Sequence, residues 1–354
     1  MEFISTNRFV DGDFPLLVPL PELLALKPVL VDEALNPAAE AANLAHLDEL
    51  AAQGHMIVPV RRVAVSGFGA NRTDFPARVL FEMTSVCNTR CKMCPQMDLK
   101  RKLMHMDKDK YKSVLDELDS RGIDGLWIYH FGESFLHPNF RELLTYIGTK
   151  RNLGPVWLST NGILCDRDTS SFLLASSLRF LNFSLQSLSE ENYKAIAPAS
   201  PAKKIFANLE SLVALKSGRI ASSPFLRLQI IAQERTMGEI AEFLTRYHAR
   251  CDLISVNMLE HTNIAFNKGG SKVKVNKPKT RCSRIDRSDC FINSDGSVAI
   301  CDNAYNNQLD IGNIWDSSVY DIWNSDNRRE LLRANDQGQL WEFDVCASCT
   351  DYDL

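Results

Sequence analysis

"ARVLFEMTSVCNTRCKMCPQ", residues 77–96, carries two signals in one stretch. Its first seven residues are an apolar run that reads as a buried strand. Directly behind it stand Cys87, Cys91 and Cys94, with gaps of three and then two residues. A closed structural zinc site takes four ligands, so three thiolates on one loop leave a position open. Three cysteines can each hold one iron of a 4Fe–4S cubane, leaving the fourth iron for a small chelating ligand. Zinc completed by a distant histidine such as His105 is the other reading of the same residues.

Downstream, "DKDKYKSVLDELDSRG" places Tyr111, Val114, Leu115 and Leu118 at helical spacing, with Asp107 as N-cap and Gly122 as stop. The alternation then continues. Strands "GLWIYH", "PVWLS", "RFLNFSL", "FLRLQII" and "LISVNM" are separated by helices "NFRELLTYIGTK", "DTSSFLLAS", "AKKIFANLESLVALKSG" and "MGEIAEFLTRYH". Six strands and five helices in this order predict an α/β chain built on a parallel sheet. Six units are too few for the closed eightfold barrel, so a partial barrel or an open doubly wound sheet is expected. In either, the site lies at the carboxyl ends of the strands, where the cysteine loop is.

Composition narrows the class. The 354 residues are 45% hydrophobic and 24% charged, with net charge −4, as in ordinary globular proteins. No basic block favours nucleic acid, and the apolar stretch "FPLLVPLPELLALKPVLV" is broken by four prolines, so no membrane span is expected. "MEFISTNRFVDGDF" does not read as a signal peptide. Ten cysteines without an export signal point to a reducing, cytoplasmic setting and to metal or catalysis rather than disulfides. Three fall at 87–94 and five at 282–349, while Cys165 and Cys251 stand alone.

The C-x3-C-x2-C spacing resembles that of the radical S-adenosylmethionine (SAM) enzymes, and the likeness runs from about Arg78 to Leu259. Met93 stands where that family usually has an aromatic residue. The family's Gly-Gly-Glu motif corresponds to "HFGES" (130–134), with Phe131 in place of the first glycine and Gly132 and Glu133 retained. The resemblance implies a partial (β/α)6 barrel whose cluster binds SAM. It implies that Gly132 and Glu133 hold the methionyl amino group. It also implies a pocket lined by Ser159, Thr160 and Asn161 of "LSTNG" and by Ser184 and Gln186 of "NFSLQS".

The tail reads Cys282, then Gly296, Cys301 and the pair Cys346-x2-Cys349. This resembles the opening half of a SPASM domain in its short, twitch form, and implies a second, auxiliary 4Fe–4S cluster on Cys282, Cys301, Cys346 and Cys349. Cys290 competes with Cys282 but lies closer to Gly296 than the family spacing. "CFINSDGSVAIC" reads as a hairpin turning at Asp295-Gly296. A zinc knuckle is the bland reading of the C-x2-C pair. The expected organisation is an extension of unknown role (1–75), with a helix near 37–53, then the barrel (76–260), a basic linker (261–281) and the twitch domain (282–354).

The equipment implies a 5′-deoxyadenosyl radical that takes hydrogen from a substrate, with the auxiliary cluster relaying electrons. Residues 261–281 contain five lysines, one arginine and no acid, which favours a small, anionic polyol, sugar or nucleotide-linked substrate undergoing dehydrogenation or epimerisation. Epimerisation needs a hydrogen donor, for which Cys290 is first candidate and Cys165 second. His130 and His137 flank the Gly-Glu pair. A maturase of a ribosomally made peptide is the alternative, and a zinc-binding or electron-carrying interaction protein the alternative from another class. A reducing partner such as flavodoxin or ferredoxin is expected.

Overall fold

The computed structural model describes residues 27–30, 55–58, 72–217, 224–233, 235–247, 250–258, 279–347 and 349. The helix expected near 37–53 and most of the basic segment 261–281 lie outside these residues. β1 (Lys27–Leu30) and β2 (His55–Val58) pair in parallel.

All six expected strands form. They are β3 (Arg78–Phe81), β4 (Gly125–Trp127), β5 (Val156–Thr160), β6 (Phe180–Leu185), β7 (Phe225–Ala232) and β8 (Leu253–Met258), parallel and adjacent in chain order. The sheet is open, running β11-β10-β9-β3-β4-β5-β6-β7-β8. Its added edge comes from the cysteine-rich tail. β9 (Asp289–Ile292) pairs in parallel with β3, and β10 (Ser297–Ala299) and β11 (Asp310–Asn313) continue antiparallel. Gly296 makes the β9–β10 turn at φ +90°, a conformation that favours glycine.

The helices cover one face. They are α1 (Lys108–Arg121), α2 (Phe140–Ile147), α3 (Arg167–Leu174), α4 (Glu190–Ile196), α5 (Ala202–Lys216), α6 (Ile240–Tyr247), and, in the tail, α7 (Ser283–Asp286), α8 (Val319–Trp323), α9 (Asp326–Gln337) and α10 (Asp344–Ala347). α1 starts where the Asp107 carboxylate accepts from the Asp109 and Lys110 amides, and it buries Tyr111, Val114, Leu115 and Leu118. Strand side chains alternate accordingly. Val79, Phe81, Leu126, Leu158, Leu181, Phe183, Leu226, Leu228, Ile230 and Ile254 enter the helix-side core. Each such side chain contributes about 1.5–3 kcal/mol on full burial.

The opposite, inner face is organised in rows by strand register. One row is aromatic: Trp127, Trp157, Phe180 and Phe225 are register partners, with Trp157 stacked on Phe180 at 3.6 Å. The row two residues further along is polar: Ser159, Asn182 and Arg227. The next contains Ser184, Gln229 and Ser255.

Candidate functional site

The cysteine loop leaves the carboxyl end of β3 and is held from both sides. Lys92 N–H donates to Ile196 O at the end of α4 (2.9 Å). Cys94 N–H donates to Cys91 O (3.0 Å), closing a turn. The Thr89 hydroxyl reaches both Cys87 Sγ (3.2 Å) and Cys91 Sγ (3.6 Å). Burial raises all three thiol pKa values, Cys91 to about 11 and Cys94 to about 12; the neighbouring thiolates add to the shift at both. A positive centre is needed to keep such thiols ionised. Among the described residues no three His, Cys, Asp or Glu side chains are grouped so as to hold a single metal ion.

Gly132 lies hard against this loop. A β-carbon there would fall 2.0 Å from Thr84 O and 2.9 Å from Val86 O, so only glycine fits the approach. Glu133 N–H donates to Val86 O (2.9 Å) and its side chain is buried. Its carboxylate accepts from Thr160 Oγ1 (3.0 Å) and Asn161 N–H (2.8 Å). Burial pushes its pKa up to about 7, against the hydrogen bonds from Asn161 and Thr160, which lower it. Asn161 Nδ2 donates to Asn88 Oδ1 (2.8 Å) and lies 3.9 Å from Cys87 Sγ. The structure thus joins Gly132, Glu133, Thr160 and Asn161 to the cysteine loop. Ser159 lies on the inner face, accepting from Asn182 Nδ2 (2.9 Å). Gln186 Nε2 donates to Ser184 Oγ (3.1 Å), and Gln186 Oε1 is buried without a partner.

In the tail, the Cys282 backbone is clamped by Asn335, whose Oδ1 accepts from Cys282 N–H (2.8 Å) and whose Nδ2 donates to Cys282 O (3.2 Å). The Cys301 and Cys346 thiols both feel Cys282, and Cys346 also feels Cys349; burial is the main cause of their raised pKa values, Cys346 reaching about 12. Cys349 N–H donates to Cys346 O (3.1 Å), repeating the Cys91–Cys94 turn.

The candidate hydrogen donors are placed elsewhere. Cys290 sits on β9 with its side chain in the helix-side core, where burial raises its pKa. Cys165 is equally buried there, beside Ser170 Oγ (3.4 Å), with its pKa raised to about 12. Neither thiol faces the inner side of the sheet. His137 is structural: Nε2 bonds with Met106 O (2.8 Å) and Nδ1 accepts from Asn139 N–H (3.1 Å). His130 differs, its two ring nitrogens buried without hydrogen-bond partners between Phe131 and Phe291.

Two contributions were not read from the sequence. α4 is one, although Ser189 as N-cap followed by Glu190 and Glu191 is a usable start signal. The other is the buried pair Glu82–Arg101, bidentate at 2.7 and 2.8 Å. Glu82 also accepts from the Phe131 and Ser294 amides, and Arg101 Nε donates to Tyr305 O. No local pattern announces a pair whose remaining partners, Phe131, Ser294 and Tyr305, are distant in sequence.

Comparison with known proteins follows the same division. Residues 81–244 match the Radical SAM superfamily, and residues 282–350 match the iron–sulfur cluster-binding domain SPASM. GTP 3′,8-cyclase of Chlorobaculum tepidum is 27% identical over 139 residues, 39% of this chain and 42% of that protein. The subtilosin biosynthesis protein AlbA of Bacillus subtilis is 27% identical over 180 residues, 51% of this chain and 38% of that protein. In both cases the match spans less than half of the relative. The mycofactocin maturase MftC of Mycobacterium tuberculosis is 23% identical over 324 residues, covering 79% of this chain and 77% of that protein. Streptococcus suis SuiB bound to precursor peptide SuiA superposes with TM-score 0.54 at 14% identity, covering 86% of this chain and 73% of that one. BtrN with AdoMet and 2-DOIA gives 0.53 at 16%, covering 80% and 96%; at these identities the two structures speak for the fold.

The family's cofactors are SAM and two iron–sulfur clusters, and the donor sets fit them: three thiols beside an open, glycine-cradled loop, and four cysteines in the tail. The chain thus contains a Radical SAM superfamily region at 81–244 and a C-terminal SPASM iron–sulfur cluster-binding domain at 282–350.

Proposed function

We propose that this protein is a radical SAM maturase acting on a ribosomally made peptide in the reducing cytoplasm, supplied with electrons by a flavodoxin or ferredoxin. The observation that carries the reading is the similarity to the MftC maturase, which extends over 79% of the chain rather than over the barrel alone. AlbA, a bacteriocin biosynthesis protein, points the same way. The polyol, sugar or nucleotide reading is a preference to which the charge of residues 261–281, most of them outside the described residues, adds only an anionic group, and these comparisons favour the peptide over it.

Cys87, Cys91 and Cys94 hold the SAM-binding cluster in this account. Cys282, Cys301, Cys346 and Cys349 hold the auxiliary one. When bound, the first cluster supplies the electron that cleaves SAM to methionine and a 5′-deoxyadenosyl radical, which takes a hydrogen atom from the substrate. The residues of this chain position and shield. Glu133, fixed by Thr160 and Asn161, would accept hydrogen bonds from the methionyl amino group, and Gly132 lets that carboxylate approach the cysteine loop. The aromatic row from Trp127 to Phe225 gives the amino end of the inner face an apolar lining.

The test is an anaerobic incubation of reconstituted protein with SAM, a reductant and short peptides encoded beside its gene. A change in peptide mass with 5′-deoxyadenosine release supports the maturase. Turnover of a sugar or alcohol with no change in any such peptide rejects it.

A further inference from the structure

Arg227 is the one inner-face residue of the polar row that carries full charge. It is 9% exposed, and no acidic side chain among the described residues pairs with it. Its Nη2 donates to Gln229 Oε1 on the same strand, and its Nε has no partner. Asn182, its register neighbour on β6, donates to Ser159 and keeps Oδ1 buried and unpartnered. Desolvation lowers the Arg227 pKa only to about 10, so the guanidinium is still charged at neutral pH. A buried charge left without a counter-ion costs several kcal/mol, and a folded chain retains one where a ligand supplies the opposite charge.

We propose that Arg227 is a specificity residue that receives a carboxylate of the substrate on the inner face of the sheet. This rests on the reading of that face as the substrate site. The guanidinium fork matches a carboxylate in two parallel hydrogen bonds. Asn182 Nδ2 beside it keeps one hydrogen to donate beyond the bond it gives Ser159 Oγ. SAM carries a carboxylate too, but on the same carbon as its amino group. Glu133, the partner of that amino group, is anchored at the carboxyl end of β5. Arg227 stands two strands away on β7, about 10 Å across the sheet. The carboxylate is therefore the substrate's: an acidic side chain or the carboxyl terminus of a peptide.

The experiment uses the full, anaerobically reconstituted chain and follows tryptophan fluorescence, since Trp157 lies in the row next to Arg227. The probes are N-acetylglutamate α-amide against N-acetylglutamine α-amide for a side chain, and N-acetylalanine against N-acetylalaninamide for a chain terminus. A saturable response to at least one acid, tenfold or more weaker for its neutral partner, is expected. Arg227→Gln loses that response by tenfold or more, while Arg227→Lys, which keeps the charge, retains part of it. Circular dichroism checks both variants; should Arg227→Gln not fold, the Arg227→Lys comparison carries the test through a weakened but acid-selective response. The acid response persists in saturating SAM. Equal responses to acid and amide, no response, or an undiminished response in either variant overturns the proposal. Loss of the acid response in SAM reassigns the position to the SAM carboxylate and overturns it as well. None of these readouts uses SAM cleavage, so the failure of radical chemistry would show separately, as absence of 5′-deoxyadenosine.

Discussion

Glu82 and Arg101 form a buried, two-pronged ion pair that joins β3 to the segment after the cysteine loop. Through Ser294 N–H and Tyr305 O it also ties both to the tail. Burial pulls the Glu82 pKa up, but the Arg101 hydrogen bonds and charge outweigh it and hold the carboxyl below its ordinary range. Arg101→Met strands a buried carboxylate and is expected to cost about 3–5 kcal/mol. Adding Glu82→Gln recovers part of that loss. Thermal melts of the two variants check this; equal melting temperatures for wild type and Arg101→Met contradict it.

Glu133 sets a pH dependence. With its pKa raised from 4.5 to about 7, the ligand-free fold holds a proton that an unfolded glutamate has lost. Its contribution to stability is therefore fully present below about pH 4.5 and is lost as pH rises through 7. Glu133→Gln should raise ligand-free stability at pH 8 by roughly 1–3 kcal/mol, less at pH 5.5, while abolishing tight SAM binding. In the wild type, SAM affinity should rise by up to about tenfold per pH unit towards pH 7 and then level. Equilibrium dialysis across pH 5.5–8 measures it; a flat profile would remove Glu133 from recognition of the amino group.

Gly132→Ala drives a β-carbon into the Thr84 and Val86 carbonyls, which are backbone and cannot swing aside. We expect a loss of about 1–3 kcal/mol and at least a tenfold weaker hold on SAM. Gly238→Ala meets nothing within 4 Å and serves as the control, with a change within about 0.5 kcal/mol. Comparable effects at both glycines would show that the Gly132 contact carries no weight.

How far the sequence led depended on the range of the interactions. The six strands, the Asp107 cap and the Asp295-Gly296 turn rest on patterns within a few residues, and these form as expected. The proximity of Gly132, Glu133 and the cysteines follows from their position at strand ends. That β9 would join β3 was not legible, because parallel pairing over two hundred residues leaves no local trace. Nor could the face of Cys290 or Arg227 be read. A one-residue change in register exchanges core and inner side, and only the assembled sheet fixes it.

The tail cysteines separate by iron content. Cys282→Ala should lose the auxiliary cluster, about four irons per chain, whereas Cys290→Ala, in the helix-side core, should keep its iron and lose only packing. Iron analysis of anaerobic preparations distinguishes them. Loss of iron from Cys290→Ala with none from Cys282→Ala would exchange their roles.

Iron content together with SAM cleavage, measured in one anaerobic sample, decides between radical SAM chemistry and a zinc protein. About eight irons per chain and release of 5′-deoxyadenosine on reduction are expected, with release abolished by Cys94→Ala. A colourless, zinc-loaded protein, or an iron-loaded one that leaves SAM intact under reduction, would contradict it.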